Sequence, residues 1–518
     1  MIVAYLYTLN ALLLLTCNAA PVPAPHSSYH LQYKPFISSA PVSSKFLRES
    51  TNKAGRLYSL ISTSLNYSSP VQLLKLSGSP QEVGSAYGEL LSNEIQNTYQ
   101  AWYPEPSEQL EQLLDWLFNC SLKAHIPDSL LDELNGIQPT SLRTKVTRVM
   151  TGSTMPADKN NIQILVQRAI AAHGNVSSHC AKVGKEIFLD SKTSTSTSTK
   201  YNEGLTHHCD FFAAWGSKTE DGRLLSSRNL DIKPATGISK HKLITIYDLD
   251  SDDDVYATVG FAGYFGSLAG MNRHGITVSE ANLDNSEVSF DGIPWPLRLR
   301  QILGTAETLD DARSIWSAQP NTAAFNFLIS DGNSKKPSAV ALETNSLHTS
   351  EFFGNSTVEK NATYSCVQGT VMDGHVCSWP NNNSELVSIG MPLVDAVFRS
   401  NHALSPEVMK TQEPLWNDTV MRYVLLHDQI QEVAGVMGVK EAVGIASLLG
   451  IKGENYGVCS SANFRTGDPT HVLSVVYDPS ISNMYVAFEE GNVLKGENAN
   501  WRPAACQEYL WLNLTEWW

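Results

Sequence analysis

The sequence predicts an α+β protein built in layers, with sheets made of hairpins and helices grouped between them. Three observations carry this expectation. Apolar runs of strand length flank tight-turn signals, as in Cys209-Asp210-Phe211-Phe212-Ala213-Ala214-Trp215 before Glu220-Asp221-Gly222, with Leu224 and Leu225 leading the return strand. Helix starts carry their own caps, at Ser79-Pro80-Gln81-Glu82 and Thr308-Leu309-Asp310-Asp311. The chain is 42% hydrophobic and 17% charged over 518 residues, a balance that can bury a large core.

Residues 2–16 are apolar and short, and Cys17-Asn18-Ala19 supplies small residues where a signal peptidase reads, so residues 1–19 are expected to be a cleaved signal peptide. The run is too short for a membrane anchor, and no later stretch is long and apolar enough to span, so no transmembrane segment is expected. Residues 20–55 are rich in Pro and Ser and read as a mobile leader. A strand over residues 71–76 precedes the Ser79-capped helix, whose Val83, Tyr87, Leu90, Leu91 and Ile95 share one face. Gly84 and Gly88 on that helix point to close helix packing. Helical patterns continue over residues 110–117 and 128–134, with Gly136 placed to end the second. Residues 140–190 give no clear pattern, and 191–200 are a Ser/Thr repeat that reads as a flexible linker.

After the Cys209 hairpin come strands at 241–247 and 256–261, then a hairpin turning at Arg273-His274-Gly275 that delivers Asn282. Helices are expected at 297–303 and after Thr308, and a strand pair at 325–329 and 339–343. Residues 345–385 read as a surface excursion, residues 406–410 and 418–435 as helices, and 472–477 with 484–488 as a late hairpin. The tail tryptophans are expected to pack onto the body.

Sequons for N-glycosylation begin at Asn66, Asn119, Asn175, Asn355, Asn361, Asn382, Asn417 and Asn513. With a signal peptide they form one coherent set that points to a secreted or lysosomal glycoprotein. Of eight cysteines, Cys17 leaves with the signal. Setting Cys209 aside leaves Cys120, Cys180, Cys366, Cys377, Cys459 and Cys506, enough for three disulfides, with Cys366–Cys377 favoured across Asp373-Gly374. The formal net charge of −15 disfavours nucleic acid, which needs concentrated basic charge. No Gly-rich phosphate loop, HExxH, GxSxG or CxxC occurs, so no motif stands behind a metal, nucleotide or other cofactor, and none is expected. His207 and His208 are neighbours on a strand and point to opposite faces, which rules against a metal pair.

The Cys209 strand and its return carry the chemistry. The return ends on Arg228-Asn229-Leu230-Asp231, and pairing across the turn brings Arg228 and Asp231 back beside Cys209. A thiol, a fixed cation and a carboxylate then share one corner of a sheet, which suits an activated thiol. Taken alone, Cys209 reads first as a buried or disulfide-bonded cysteine, the usual state in a secreted protein, and Arg228 with Asp231 is also readable as a structural ion pair.

This stretch resembles the start of the catalytic chain in N-terminal-nucleophile (Ntn) hydrolases. The match is best to the acyl-coenzyme A:6-aminopenicillanic acid acyltransferase family, which is related to acid ceramidase and choloylglycine hydrolase. Ser79 to Gly88 is similar to that family's propeptide helix, Gly270-Met271-Asn272-Arg273-His274-Gly275 with Glu280-Ala281-Asn282-Leu283 to its central hairpin, Ser400-Asn401-His402 to its late asparagine motif, and Ser474-Val475-Val476-Tyr477-Asp478 to its closing strand. The resemblance implies a four-layer αββα sandwich of two antiparallel sheets flanked by helices. It implies self-cleavage between His208 and Cys209, giving a small chain of residues 20–208, expected to be helical, and a catalytic chain of 209–518 that stay associated. It implies hydrolysis or transfer of acyl groups of small-molecule N-acyl or lipid substrates through an acyl-thioester on Cys209. Arg228 would steady the thiolate, Asp231 would orient the freed amine, and Asn282 and Asn401 would bind substrate and oxyanion. A phospholipase-like ester hydrolase and a non-catalytic secreted glycoprotein are the alternatives. The chain departs from the pattern at His208, where Gly is frequent, and at Asp210, where Thr or Ser is common. A second catalytic arginine has no clear match, and Arg465 is the candidate.

Overall fold

The computed structural model describes residues 37–61, 70–154, 180, 208–232, 237–252, 254–366, 375–378, 386–413, 415–448, 470–490 and 502–518. The expected signal peptide, the Ser/Thr linker, Asn66, Asn175, Asn382, Cys459, His207 and Arg465 all lie outside them. Three strands open the chain: β1 (Ser43–Glu49), β2 (Gly55–Ile61) and β3 (Gln72–Gly78). Four helices follow, Pro80–Trp102, Glu108–Cys120, Asp128–Gly136 and Thr140–Ser153. The expected hairpin is β4 (His208–Ala214) and β5 (Leu225–Ile232). Then come β6 (Lys242–Leu249), β7 (Tyr256–Phe261), β8 (Ala269–Asn272), β9 (Ile276–Asn282), helices Trp295–Thr305 and Leu309–Ser317, β10 (Phe325–Asp331), β11 (Ser338–Thr344) and β12 (Thr349–Phe352). The short strands β13 (Thr363–Cys366), β14 (His375–Ser378) and β15 (Leu386–Ser388) precede β16 (Ala396–Arg399) and β17 (Leu415–Trp416). Helices Asn417–Glu432 and Val439–Leu448 lead to β18 (Thr470–Asp478), β19 (Asn483–Phe488) and β20 (Leu510–Asn513).

Two large sheets result. One has ten strands in the order β1-β2-β3-β6-β7-β8-β9-β10-β11-β12, and the other has six in the order β16-β4-β5-β18-β19-β20. All neighbours are antiparallel except β3 and β6, which run parallel. The sheets lie face to face: Ser226 Oγ on β5 is 3.1 Å from Thr277 Oγ1 on β9, Tyr477 on β18 donates to the Val278 carbonyl (3.4 Å), and Phe261 meets Phe488 edge to face. Helices Pro80–Trp102 and Trp295–Thr305 cover the ten-stranded sheet, the second taking hydrogen bonds from Asn272 at its C-terminal end. Helices Asn417–Glu432 and Val439–Leu448 cover the other. The fold is an α+β sandwich in four layers, αββα.

The predicted caps are found. Ser79 and Glu82 close a capping box with Pro80 in the first turn, and Thr308 with Asp311 closes another. Gly84 and Gly88 are contact points, since a Cβ on Gly84 would sit 1.9 Å from the Glu133 carbonyl oxygen. The tail packs as expected, with Trp517 against Tyr58 and Trp511 against Tyr485. Cys120 and Cys180 form a disulfide, Cys506 is disulfide-bonded, and Cys209 is a free, buried thiol. Cys366 and Cys377 are register partners on β13 and β14.

Three expectations need correction. Residues 43–49 of the supposed leader form β1, a strand exposed at every position, which is why it carries no apolar alternation to read. The segment before Cys209 is not simply helical, because β1–β3 extend the main sheet and the β3–β6 ladder merges this segment into the common core. Residues 345–385 are only partly an excursion: β12 joins the ten-stranded sheet, and Tyr364 is buried with its hydroxyl donating to the Ala403 carbonyl.

A buried ion pair links the segments on either side of Cys209. Arg300 reaches from helix Trp295–Thr305 to Glu133 (3.1 Å), and its guanidinium lies 3.9 Å above the Tyr247 ring. Burial pushes the Glu133 carboxyl up, and the Arg300 charge opposes that push. Arg300→Met leaves Glu133 buried without its cation and is expected to cost about 3–5 kcal/mol. Adding Glu133→Gln should recover most of that loss. Urea midpoints of the two variants check this, and equal midpoints for Arg300→Met and the wild type would refute it.

Candidate active site

The β4–β5 register sets the site. His208 faces Asp231, Cys209 faces Leu230, Asp210 faces Asn229 and Phe211 faces Arg228. The hairpin therefore brings Arg228 and Asp231 back to Cys209, as the turn signal predicts. Helix Asn417–Glu432 covers this corner from outside, while β9 faces it from the opposing sheet.

Cys209 is held by its backbone. Its N–H donates to Asn401 Oδ1 (2.8 Å), and its carbonyl accepts from Arg422 Nη1 (2.8 Å). Arg422 Nη2 also donates to Asn401 Oδ1 (2.8 Å). Asn401 Nδ2 donates to both the backbone oxygen and Oδ1 of Asn282 (2.8 Å each), and the Asn401 N–H donates to Thr419 Oγ1 (2.8 Å). With its Oδ1 receiving two donors and its Nδ2 meeting two acceptors, the Asn401 carboxamide has one workable orientation.

The thiol lies among buried charges. Burial pushes it well above the usual thiol range, Glu280 adds to this, Arg228 opposes it, Asp231 adds a smaller push, and the Asp231 backbone N–H opposes by hydrogen bonding. Arg228 donates to the Leu268 carbonyl (3.2 Å) and pairs with the Glu280 carboxylate. Glu280 is itself pushed up by burial, against the pull of Arg228. Asp231 Oδ1 lies 3.4 Å from Nε2 of His471, an imidazole that burial, Arg422 and Arg228 hold neutral down to about 3. Asp210 accepts from Asn229 Nδ2 (2.8 Å) and lies 3.5 Å from Arg422. Burial drives the Asp210 carboxyl up to about 6 against the Arg422 charge. Asp210, Asp231 and His471 could offer three metal-ligand atoms within 4.8 Å of one another. The guanidinium of Arg422 beside Asp210 already supplies a cation there, and both arginines oppose a second one.

All five residues singled out from the sequence, Cys209, Arg228, Asp231, Asn282 and Asn401, converge on this corner. The sequence reading missed Arg422, Glu280 and His471 as members of the site. Arg422 sits mid-helix in no motif and is visible only through tertiary contact. Glu280 carried a readable signal, a charge inside β9, whose seven positions are all buried. Arg465, the sequence candidate for a second arginine, is outside the described residues, and Arg422 is the arginine bonded to the Cys209 carbonyl.

Residues 217–368 match the family model of acyl-coenzyme A:6-aminopenicillanic acid acyl-transferase. The family whose model matches is the one the motifs resemble. The matched stretch contains Arg228, Asp231, Glu280 and Asn282 and leaves Cys209 and Asn401 outside. Protein dcd1A of Dictyostelium discoideum is 23% identical over 253 residues, 47% of this chain and 52% of that protein. The chain thus spans about half the length of that curated relative. Among solved structures, the Caenorhabditis elegans ortholog of N-acylethanolamine-hydrolyzing acid amidase aligns with TM-score 0.33 and 14% identity, covering 52% of this chain and 93% of its own. A mutant conjugated bile acid hydrolase from Clostridium perfringens aligns at 0.32 and 14%, covering 54% and 89%. Penicillin V acylase from Agrobacterium tumefaciens aligns at 0.32 and 11%, covering 54% and 83%. Scores this low decide neither fold nor chemistry.

Two substitutions separate the charges around the thiol. Glu280→Gln removes the anion facing Cys209 and should move the thiol titration to lower pH, while Arg228→Met should move it higher. The pH dependence of Cys209 alkylation by iodoacetamide reads both, and a shift of the same sign in both variants would refute the arrangement.

Proposed function

We propose that this protein is a cysteine N-terminal-nucleophile enzyme that hydrolyses or transfers acyl groups of N-acyl amides through an acyl-thioester on Cys209. The observation that carries this reading is the grip on the Cys209 backbone nitrogen. An ordinary cysteine nucleophile needs only its sulfur positioned. Here Asn401 Oδ1 receives the N–H and Arg422 fixes the adjoining carbonyl, as expected where the nitrogen itself has a task. The family match over residues 217–368 supports the acyl-transfer class.

In maturation the Cys209 thiol attacks the His208 carbonyl carbon. The C–N bond breaks, the nitrogen leaves with a proton as the Cys209 α-amine, and a thioester joins His208 to the sulfur. Water then cleaves the thioester, releasing the His208 carboxylate and regenerating the thiol. In turnover the free α-amine takes the thiol proton, since an α-amine titrates at ~8. The sulfur attacks the substrate carbonyl, the departing amine leaves with the proton, and water or a second amine accepts the acyl group. Asn282 Nδ2, 3.4 Å from Asp284 Oδ1, is the donor proposed for the oxyanion. Its removal in Asn282→Ala should lower kcat by about 10²–10³. Until cleavage the nitrogen is an amide and cannot serve as the base, so the precursor should be inactive toward substrate.

On the same reading residues 1–19 are a signal peptide and the protein is glycosylated in the lumen or outside. Asn119, Asn355 and Asn361 are exposed, as acceptors need to be. Among the described residues no helix is long and apolar enough to cross a membrane. The β3–β6 ladder and the Glu133–Arg300 pair supply contacts to hold two cleaved chains together.

Reducing electrophoresis with N-terminal sequencing tests maturation: the wild type should give two chains, the larger beginning Cys-Asp-Phe-Phe, and Cys209→Ala a single chain. The mature protein should release fluorophore from at least one 7-amido-4-methylcoumarin of an octanoyl, palmitoyl or phenylacetyl acid. Cleavage of Cys209→Ala at the same bond would overturn self-processing, and an intact wild type would leave the non-catalytic glycoprotein.

A further inference from the structure

We propose that Asp210 is a positioning residue that holds Arg422 in place and sets the charge balance around the nitrogen and thiol of Cys209. The proposal rests on the reading of Cys209 as an N-terminal nucleophile and goes beyond it to a residue which that chemistry does not itself require. Asp210 follows the nucleophile on β4, is fully buried, and directs its two oxygens to different partners. Oδ2 faces Arg422, the residue that holds both the Cys209 carbonyl and Asn401 Oδ1. Oδ1 accepts from Asn229 Nδ2.

A directed chain of donors ends on that second oxygen. Tyr509 donates to Ser474 Oγ (2.7 Å), Ser474 donates to Asn229 Oδ1 (2.6 Å), and Asn229 donates to Asp210 (2.8 Å). Ser474 has one hydroxyl proton, so accepting from Tyr509 and donating to Asn229 fixes the Asn229 amide with its Nδ2 toward Asp210. The Ala446 carbonyl, a second acceptor for Nδ2 at 3.1 Å, agrees with that orientation. Each link favours an acceptor at Asp210 and therefore the carboxylate. Burial opposes it and leaves Asp210 at about 6, still an anion at neutral pH.

The charged groups of this corner come from every packed element: Glu280 on β9 with Arg228 and Asp231 on β5 act on the thiol, Arg422 on helix Asn417–Glu432 holds the Cys209 carbonyl, and Asp210 on β4 pairs with Arg422, with His471 on β18 held neutral. Two cations meet three anions. Removing the Asp210 charge leaves two of each and frees the Arg422 charge to act on the nucleophile. Adding a proton to the amine–thiol pair then becomes harder, so the acid limb of Cys209 reactivity moves to lower pH. A charge within about 4–6 Å typically shifts a titration by about one unit or more. Asp210 acts here through Arg422, bonded to the Cys209 carbonyl, so a smaller shift of about half a unit to one unit is expected in Asp210→Asn.

The experiment measures carbamidomethylation of Cys209 by iodoacetamide in the mature two-chain protein, followed by mass from pH 4 to 9, for the wild type, Asp210→Asn and Asp210→Ser. Both variants should show the limb displaced downward. A limb that stays put or rises while the rate falls uniformly means Asp210 is only structural, and the proposal is wrong. If both variants fold, by circular dichroism, but neither is cleaved, Asp210 belongs to maturation and the proposal is equally wrong. Failure of both to fold also counts against it, because Arg422 keeps its bonds to the Cys209 carbonyl and to Asn401 in either variant and the fold should survive. A wild-type large chain that does not begin at Cys209 would instead refute the nucleophile reading, a separate result from an unmoved limb.

Discussion

The Asn401 carboxamide is the joint on which the candidate site turns. It meets Cys209 from the six-stranded sheet, Asn282 from the ten-stranded sheet, and Arg422 from the covering helix. The Cys209 backbone, Asn282 and Arg422 cannot shift without breaking one of these contacts. The amide also transmits orientation: because Arg422 donates to the oxygen, the nitrogen must face Asn282, and the same oxygen is left to receive the Cys209 N–H. A rigid acceptor at that nitrogen is the feature on which the proposed nucleophile role rests.

The second constraint is the burial of charge. Arg228, Glu280, Asp231, Asp210 and Arg422 all lie out of water. Each desolvated ion is costly unless paired, and pairing across the two sheets ties the charge pattern to the sandwich geometry. The Arg228–Glu280 pair bridges β5 and β9, while Asp210–Arg422 bridges β4 and its covering helix. In so dry a setting charges are poorly screened, and Glu280 on the opposite sheet pushes the Cys209 thiol up more than Asp231 does.

Much of this was legible in advance, for local reasons. The β4–β5 and β8–β9 hairpins are written as turn residues between strand formers, and register then dictates that Arg228 returns beside Phe211 and Asp231 beside His208. The capped helices were readable because Ser79, Pro80 and Glu82 act within one turn. What escaped depends on distant partners. Arg422 looks like any charged helix residue until the helix lies across Cys209. β1 has no buried face to leave a pattern. Helix Val439–Leu448 is buried along most of its length, so it lacks the polar side that marks an amphipathic helix.

The parallel ladder between β3 and β6 has a consequence for assembly. Strands on either side of the His208–Cys209 bond complete one sheet, with Gln72 to Gly78 aligned to Leu243 to Leu249. Without its N-terminal segment, the polypeptide from Cys209 onward would present β6 as a bare rim, a buried strand that reads Lys-Leu-Ile-Thr-Ile-Tyr-Asp-Leu with the ladder groups that face β3 unsatisfied. Such a rim is a template for indiscriminate strand addition. The N-terminal segment thus covers an edge that would otherwise invite strand addition, and a polypeptide beginning at Cys209 is expected to be poorly soluble when produced without it.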